Sequence, residues 1–199
     1  ATALAARIPA RTKYGFGREG AYPIALNSGA EYYLNTVFDD ALKKANTKTY
    51  QEMMFLAAEL PYEQVLYSLI LSDVEKKYAA SFVEQHELMG KKIIGIHMGA
   101  SSRWPSKVWH PTEVEAFIVQ AQAAGYAVVL FGGPNEMASQ QALVQKLATQ
   151  DISVYQNDPS NSKLEFAALV NICDVMVCSD SLSLHVSLGL EKPTIGLLF

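Results

Sequence analysis

A chain of 199 residues, 50% of them apolar and 18% charged, can build one large core or two small ones and lacks the composition of a disordered polypeptide. A formal net charge of −4 gives nucleic acid no electrostatic handle, and no apolar run approaches the roughly eighteen residues that cross a bilayer. The opening residues lack the long apolar stretch of a signal peptide, and Cys173 and Cys178 match no zinc spacing, so two buried thiols and no metal site are expected.

Residues 1–22 begin Ala-rich and then gather Arg7, Arg11, Lys13 and Arg18 around Ile8, Tyr14 and Phe16. Ile8-Pro9 and the glycines at 15, 17 and 20 predict a loop with a short strand. Its cations either stay solvated or meet an anionic acceptor. Ala30 to Lys43 and Tyr50 to Leu60 are predicted amphipathic helices, the second opened by Thr49 with Glu52 at capping-box spacing. Ser72-Asp73 predicts a third helix, with Val74, Tyr78 and Phe82 on one face and an end near Gly90.

From Lys91 the pattern becomes regular. Strands are predicted at Ile93 to His97, Ala127 to Phe131, Ile152 to Tyr155, Asp174 to Ser179 and Thr194 to Phe199. Helices alternate with them over 111–124, 136–149, 163–172 and from Ser181. That alternation predicts an α/β fold with a Rossmann-like, doubly wound parallel sheet in residues 91–199, preceded by part of a second α/β domain in 1–90. The last residue ends a buried strand and the first is not Met, so a piece of a longer protein is expected, truncated at the carboxyl end of the second domain.

Ligands of such sheets sit outside the carboxyl ends of the strands, which singles out three loops. The first, Met98 to His110, offers small residues at Gly99, Ala100 and Ser101 and a cation at Arg103 or Lys107, with Trp104 and Trp109 as packing residues. The second, Gly132-Gly133-Pro134-Asn135-Glu136, puts a carboxylate at a helix start, either to complement the helix dipole or to accept from ribose hydroxyls. In the third, Asp180 is predicted as an N-cap, leaving the amides of Ser181, Leu182 and Ser183 to receive an anion such as a diphosphate. His185 follows one turn after Ser181 on the same face, either a satisfied core histidine or a ligand-facing group. No G-x-G-x-x-G follows these strands, which argues against a dinucleotide cofactor, and no other cofactor is expected.

Taken together, Gly99-Ala100-Ser101, Lys107-Val108-Trp109-His110-Pro111, Leu130-Phe131-Gly132-Gly133-Pro134-Asn135-Glu136 and Asp180-Ser181-x-x-x-His185-Val186 with Lys192-Pro193 resemble glycosyltransferase family 9, the ADP-heptose:lipopolysaccharide heptosyltransferases. The resemblance is looser over 1–90, where Lys13-Tyr14-Gly15-Phe16 matches a basic-x-Gly-Phe strand. It implies the GT-B architecture and an inverting, metal-independent transfer of a sugar, heptose from ADP-heptose, to a lipopolysaccharide core acceptor. The implied partners are a nucleotide-sugar donor and an anionic glycolipid. The implied place is the cytoplasm, with peripheral contact at the inner face of the bacterial inner membrane. It further implies that Lys107 meets the donor phosphates, that Ser101 is a substrate-binding residue, that Glu136 meets the ribose, and that Asp180, Ser181, Leu182, Ser183 and His185 hold the diphosphate and transferred sugar. The family's base aspartate has no counterpart in this sequence, and Leu182-Ser183 stand where the family has Gly.

Two other readings compete. A non-catalytic nucleotide-sugar binding module, or an inactive fragment, accounts for the leucine and the missing base. A serine hydrolase is suggested by Asp180-Ser181-Leu182 alone, but such a block belongs on a first strand with its histidine far downstream, not on the same helix turn.

Overall fold

Asp39 and Asn27 organise the amino-terminal third, where each element is short. The computed structural model describes residues 2–64, 66–99 and 105–198, so Ser101, with Ala100, Arg103 and Trp104, lies outside the described residues. After the helix Thr2–Arg7 (α1), Phe16–Glu19 (β1) and Tyr22–Ala25 (β2) pair antiparallel, turning at Gly20 with a φ of +57° that glycine adopts without a Cβ clash. The single strand expected here is therefore half of a hairpin. The helix predicted over 30–43 is two, Ser28–Phe38 (α2) and Asp40–Ala45 (α3). Asp39 stands extended between them and accepts from the amides of Ala41 and Leu42, ending one helix by capping the next. Tyr50–Ala57 (α4) starts at Thr49, whose hydroxyl accepts from the Glu52 amide at 3.2 Å, while the Glu52 carboxylate pairs with Lys48 instead of closing a capping box. Asn27 ties the pieces together, accepting from the Gly15 amide at 3.1 Å and donating to the Ala57 carbonyl at 3.0 Å.

The chain divides into two compact units, Ala1–Leu66 and Tyr67–Phe199, so the structural division falls at 66/67 and not at Gly90. The reason is the helix Asp73–Gln85 (α5), opened by a complete Ser72–Glu75 capping box. Its Ala79 and Phe82 belong to the same core as Ile93, Val129 and Met176 of the following sheet.

That sheet contains Ile93–His97 (β3), Ala127–Phe131 (β4), Tyr155–Gln156 (β5), Val175–Ser179 (β6) and Thr194–Leu197 (β7). All neighbours are parallel, in the order β5-β4-β3-β6-β7. Pro111–Ala123 (α6), Met137–Ala148 (α7), Lys163–Asn171 (α8) and Leu182–Gly189 (α9) make the crossovers. Alternate residues of each strand feed two cores. Ile93, Val129, Phe131 and Met176 face α5 and α8, and Ile94, Ile96, Val128, Leu130 and Val177 face α6 and α7. This is the doubly wound arrangement the alternating pattern predicts, with β5 cut to two residues. Cys173 and Cys178 are fully buried in it, and burial pushes the Cys173 thiol up to about 12.

Candidate functional site

The strand order reverses between β3 and β6. α6, after β3, packs into one core through Val114 and Ile118, whereas Val186 of α9, after β6, and Leu190 just past its end pack against the other. Connections leaving to opposite faces open a crevice at the carboxyl ends of those two strands. Lys107 reaches it from a short 3₁₀ turn, Pro105–Lys107, and Asp180 reaches it directly from the end of β6. Their side chains meet there: the Lys107 ammonium donates to Asp180 Oδ2 at 2.6 Å, with side-chain exposures of 27% and 44%. The hydrogen bond from Lys107, the same ammonium's charge and a smaller contribution from His185 hold the Asp180 carboxyl below the usual carboxylate range.

Asp180 does not cap α9. The N-cap is Ser181, extended at φ −150° and ψ −174°, and its hydroxyl makes no capping bond. It lies 2.8 Å from the Ser183 hydroxyl and 3.3 Å from the Ser179 carbonyl. Aspartate and serine are both good caps, and the lysine's ion pair takes the carboxylate away from the helix end. The amide of Leu184 bonds back to the Ser181 carbonyl, so the amides that helix geometry leaves without intrahelical acceptors at this end are those of Leu182 and Ser183. The Ser183 side chain is fully buried and turned from solvent; Leu182 is 55% exposed. His185 is exposed, and its backbone carbonyl accepts from the Tyr67 hydroxyl at 3.1 Å.

Gly99 joins the three loops. Its carbonyl accepts from the buried Ser179 hydroxyl at 2.9 Å, and its missing side chain is replaced by Glu136, whose Cγ would sit 2.7 Å from a Cβ built there. Glu136 precedes α7 without capping it, and its Oε2 accepts from the Gly133 amide at 2.9 Å. Behind Gly132, Asn157 forms a buried amide knot. Its oxygen accepts from the Gly132 amide at 2.8 Å, and its nitrogen donates to the Gly132 carbonyl at 3.1 Å and to Asn161 Oδ1 at 3.2 Å.

Beside this knot lies a cavity of about 160 Å³ lined by His97, Gly132, Gly133, Asn161, Phe166 and Leu182, among others. Among the described residues, His97 Nδ1 and Asn161 Nδ2 are buried there without a hydrogen-bond partner, although the Tyr78 hydroxyl faces the Asn161 amide. Burial pushes the His97 imidazole below its ordinary value, opposed by the charge of Glu136, so it is neutral at physiological pH. His97, Asn157 and Asn161 are not among the candidates of the sequence reading. The one signal available for them is a histidine closing an otherwise apolar strand at the ligand edge. Among the described residues no cluster of three or more His, Cys, Asp or Glu converges, and no helix is long and apolar enough to cross a membrane.

The family model of glycosyltransferase family 9 (heptosyltransferase) matches residues 1–198. The chain belongs to glycosyltransferase family 9. It is 26% identical over 151 residues to lipopolysaccharide heptosyltransferase 2 of Escherichia coli, covering 73% of this chain and 41% of that protein. It is 27% identical over 149 residues to the Salmonella typhimurium protein of the same name, with the same coverages. Family 9 membership thus rests on a match along nearly the whole chain, while the chain spans under half the length of these relatives. Among solved structures, a family 9 glycosyl transferase from Veillonella parvula shares the fold at a TM-score of 0.68 and 20% identity, over 77% of this chain and 44% of that one. The Escherichia coli ADP-heptose lipopolysaccharide heptosyltransferase II follows at 0.59 and 25%, over 70% and 42%. The mixed α/β architecture with a parallel Rossmann-like sheet is therefore that of the GT-B-like family 9 proteins.

Proposed function

We propose that the protein of which these residues are part is an inverting glycosyltransferase, and that residues 67–199 form its nucleotide-sugar donor site, with 1–66 on the acceptor side. The observation that carries this reading is the Lys107 ammonium held 2.6 Å from Asp180 in front of α9, at the point where the strand order reverses. A diphosphate there meets the Lys107 ammonium and the amides of a helix start, the two groups best suited to charge on a leaving group. Leu182 and Ser183 give backbone donors, Ser101 is assigned to substrate binding from the sequence alone, and His185, exposed on α9, is assigned to the transferred sugar. Glu136, with one oxygen on the Gly133 amide, faces the ribose. The base enters the cavity of His97, Phe166 and Asn161.

The reaction in this reading breaks the bond from the anomeric carbon to the diphosphate, with the electron pair leaving on the phosphate oxygen. An acceptor hydroxyl oxygen takes the anomeric carbon and gives up its proton. Lys107 and the α9 amides stabilise the diphosphate without a metal ion, and the proton-accepting role is assigned to no residue of this chain. In this reading the donor is ADP-heptose and the acceptor a lipopolysaccharide core sugar, in keeping with the names of the relatives, and the work is proposed to be done at the cytoplasmic face of the inner membrane. Calorimetric titration of ADP, UDP and GDP tests the donor half. ADP should bind best, and Lys107→Ala should weaken it about tenfold or more. Equal, weak affinity of both proteins for every nucleotide would reject the donor site.

A further inference from the structure

The carboxylate at this site is at odds with the ligand. Asp180 is ionised, half-exposed and committed to no helix amide, yet it stands on the cation that is to receive phosphate. An incoming diphosphate has to share or take over the Lys107 hydrogen bond, and it then lies within a few ångströms of a fixed negative charge. That repulsion grows with the charge of the ligand. A sugar-bearing diphosphate is a diester with no terminal ionising oxygen; the free nucleoside diphosphate left after transfer has a terminal phosphate carrying additional negative charge. The same site therefore treats the two unequally.

Building on the donor-site reading, we propose that Asp180 is a specificity-determining charge that makes the site prefer an esterified diphosphate over a free one, and that it reclaims Lys107 when the free diphosphate departs. The asymmetry is local. Both side chains are partly exposed to solvent, at 27% and 44%. Ser181 holds the start of α9 through its own backbone, so the helix end does not depend on the Asp180 carboxylate.

The test uses two probes that differ by one methyl group, ADP and its terminal methyl ester, titrated calorimetrically into the wild-type chain, Asp180→Asn and Asp180→Glu. Asparagine keeps the shape and removes the charge, so any loss in the positioning of Lys107 weakens both probes alike and cancels in their ratio. For Asp180→Asn the affinity for ADP relative to the ester should rise about tenfold, the effect of one unit charge removed near a phosphate at partly exposed distance. Asp180→Glu should keep the wild-type ratio. An unchanged ratio in Asp180→Asn, with a native circular dichroism spectrum, overturns the proposal while leaving the donor site standing. Failure of ADP, UDP and GDP alike to bind the wild-type chain overturns the donor site and this inference with it.

Discussion

At Gly95, in the middle of β3, a single methyl group has nowhere to go. A Cβ there would come 2.8 Å from the Cys173 sulfur and 2.9 Å from Phe131, and would also strike Met176, all of them fully buried. Gly95→Ala should therefore cost about 1–3 kcal/mol through overpacking, read as a lower urea midpoint at unchanged slope. His97, two residues on, makes a different demand. Its folded pKa lies below the ordinary 6.5 because burial disfavours the cation, whereas the unfolded chain restores it. Between those values the unfolded state binds a proton that the native state does not, so stability is lost as pH falls below about 6.5. The urea midpoint of the wild type should drop more between about pH 7.5 and 5.5 than that of His97→Gln. Equal drops would mean that His97 does not titrate in this way.

Among the elements, α8 is the one whose start bears on the site, since Ser162 both caps it and borders the His97 cavity. Its capping box is complete: Ser162 Oγ accepts from the Glu165 amide at 3.2 Å, and the Glu165 carboxylate accepts from the Ser162 amide at 2.7 Å. Ser162→Ala should lower stability by about 1 kcal/mol, while Ser162→Asp should retain most of it, both measured by urea unfolding. Such local devices are what a sequence shows well. The strands β3, β4 and β6 are legible because each is an apolar run bounded by Gly, Pro or polar residues, whereas β5, expected over 152–155, is only Tyr155–Gln156. The break at Asp39 is not, because apolar spacing continues across it and only the capping geometry reveals the stop. Likewise Asp180 reads as the cap of α9, since nothing local betrays a lysine 73 residues earlier that takes its carboxylate. Asn157 looks like any loop asparagine, and its hold on Gly132 appears only when β4 and the loop after β5 are brought together. Lys107, Glu136 and the Asp180 turn could be picked out as candidates because they follow strands; His97 and Asn161 could not, because what singles them out is the burial of His97 Nδ1 and Asn161 Nδ2 beside one cavity, which only the fold creates.

For the molecule as a whole, the two compact units have very different cores. Among the described residues, the buried apolar ones of Ala1–Leu66 are Ala30, Met53 and Ala57, whereas Tyr67–Phe199 carries two extensive clusters, one on each face of the sheet. Small cores are marginal, so the amino-terminal unit should unfold first and a two-state description should fail. Both tryptophans, at 104 and 109, belong to the second unit. Circular dichroism should therefore lose helical signal at a lower urea concentration than tryptophan fluorescence changes; coincident midpoints would contradict two independent cores.

The pairing of β3 with β6 has a further bearing on how the protein is made. The two halves of the proposed anion seat arrive from opposite ends of a crossover that spans β4, β5 and three helices, so in that reading no early, partly ordered chain possesses a seat. Closing so distant a contact comes late, after the entropy of the intervening loop has been overcome. A nucleotide added during refolding then has nothing to grip until the work is finished. It should leave the refolding rate untouched and slow only the reverse reaction, acting as a lock on the completed sheet and never as a template for it.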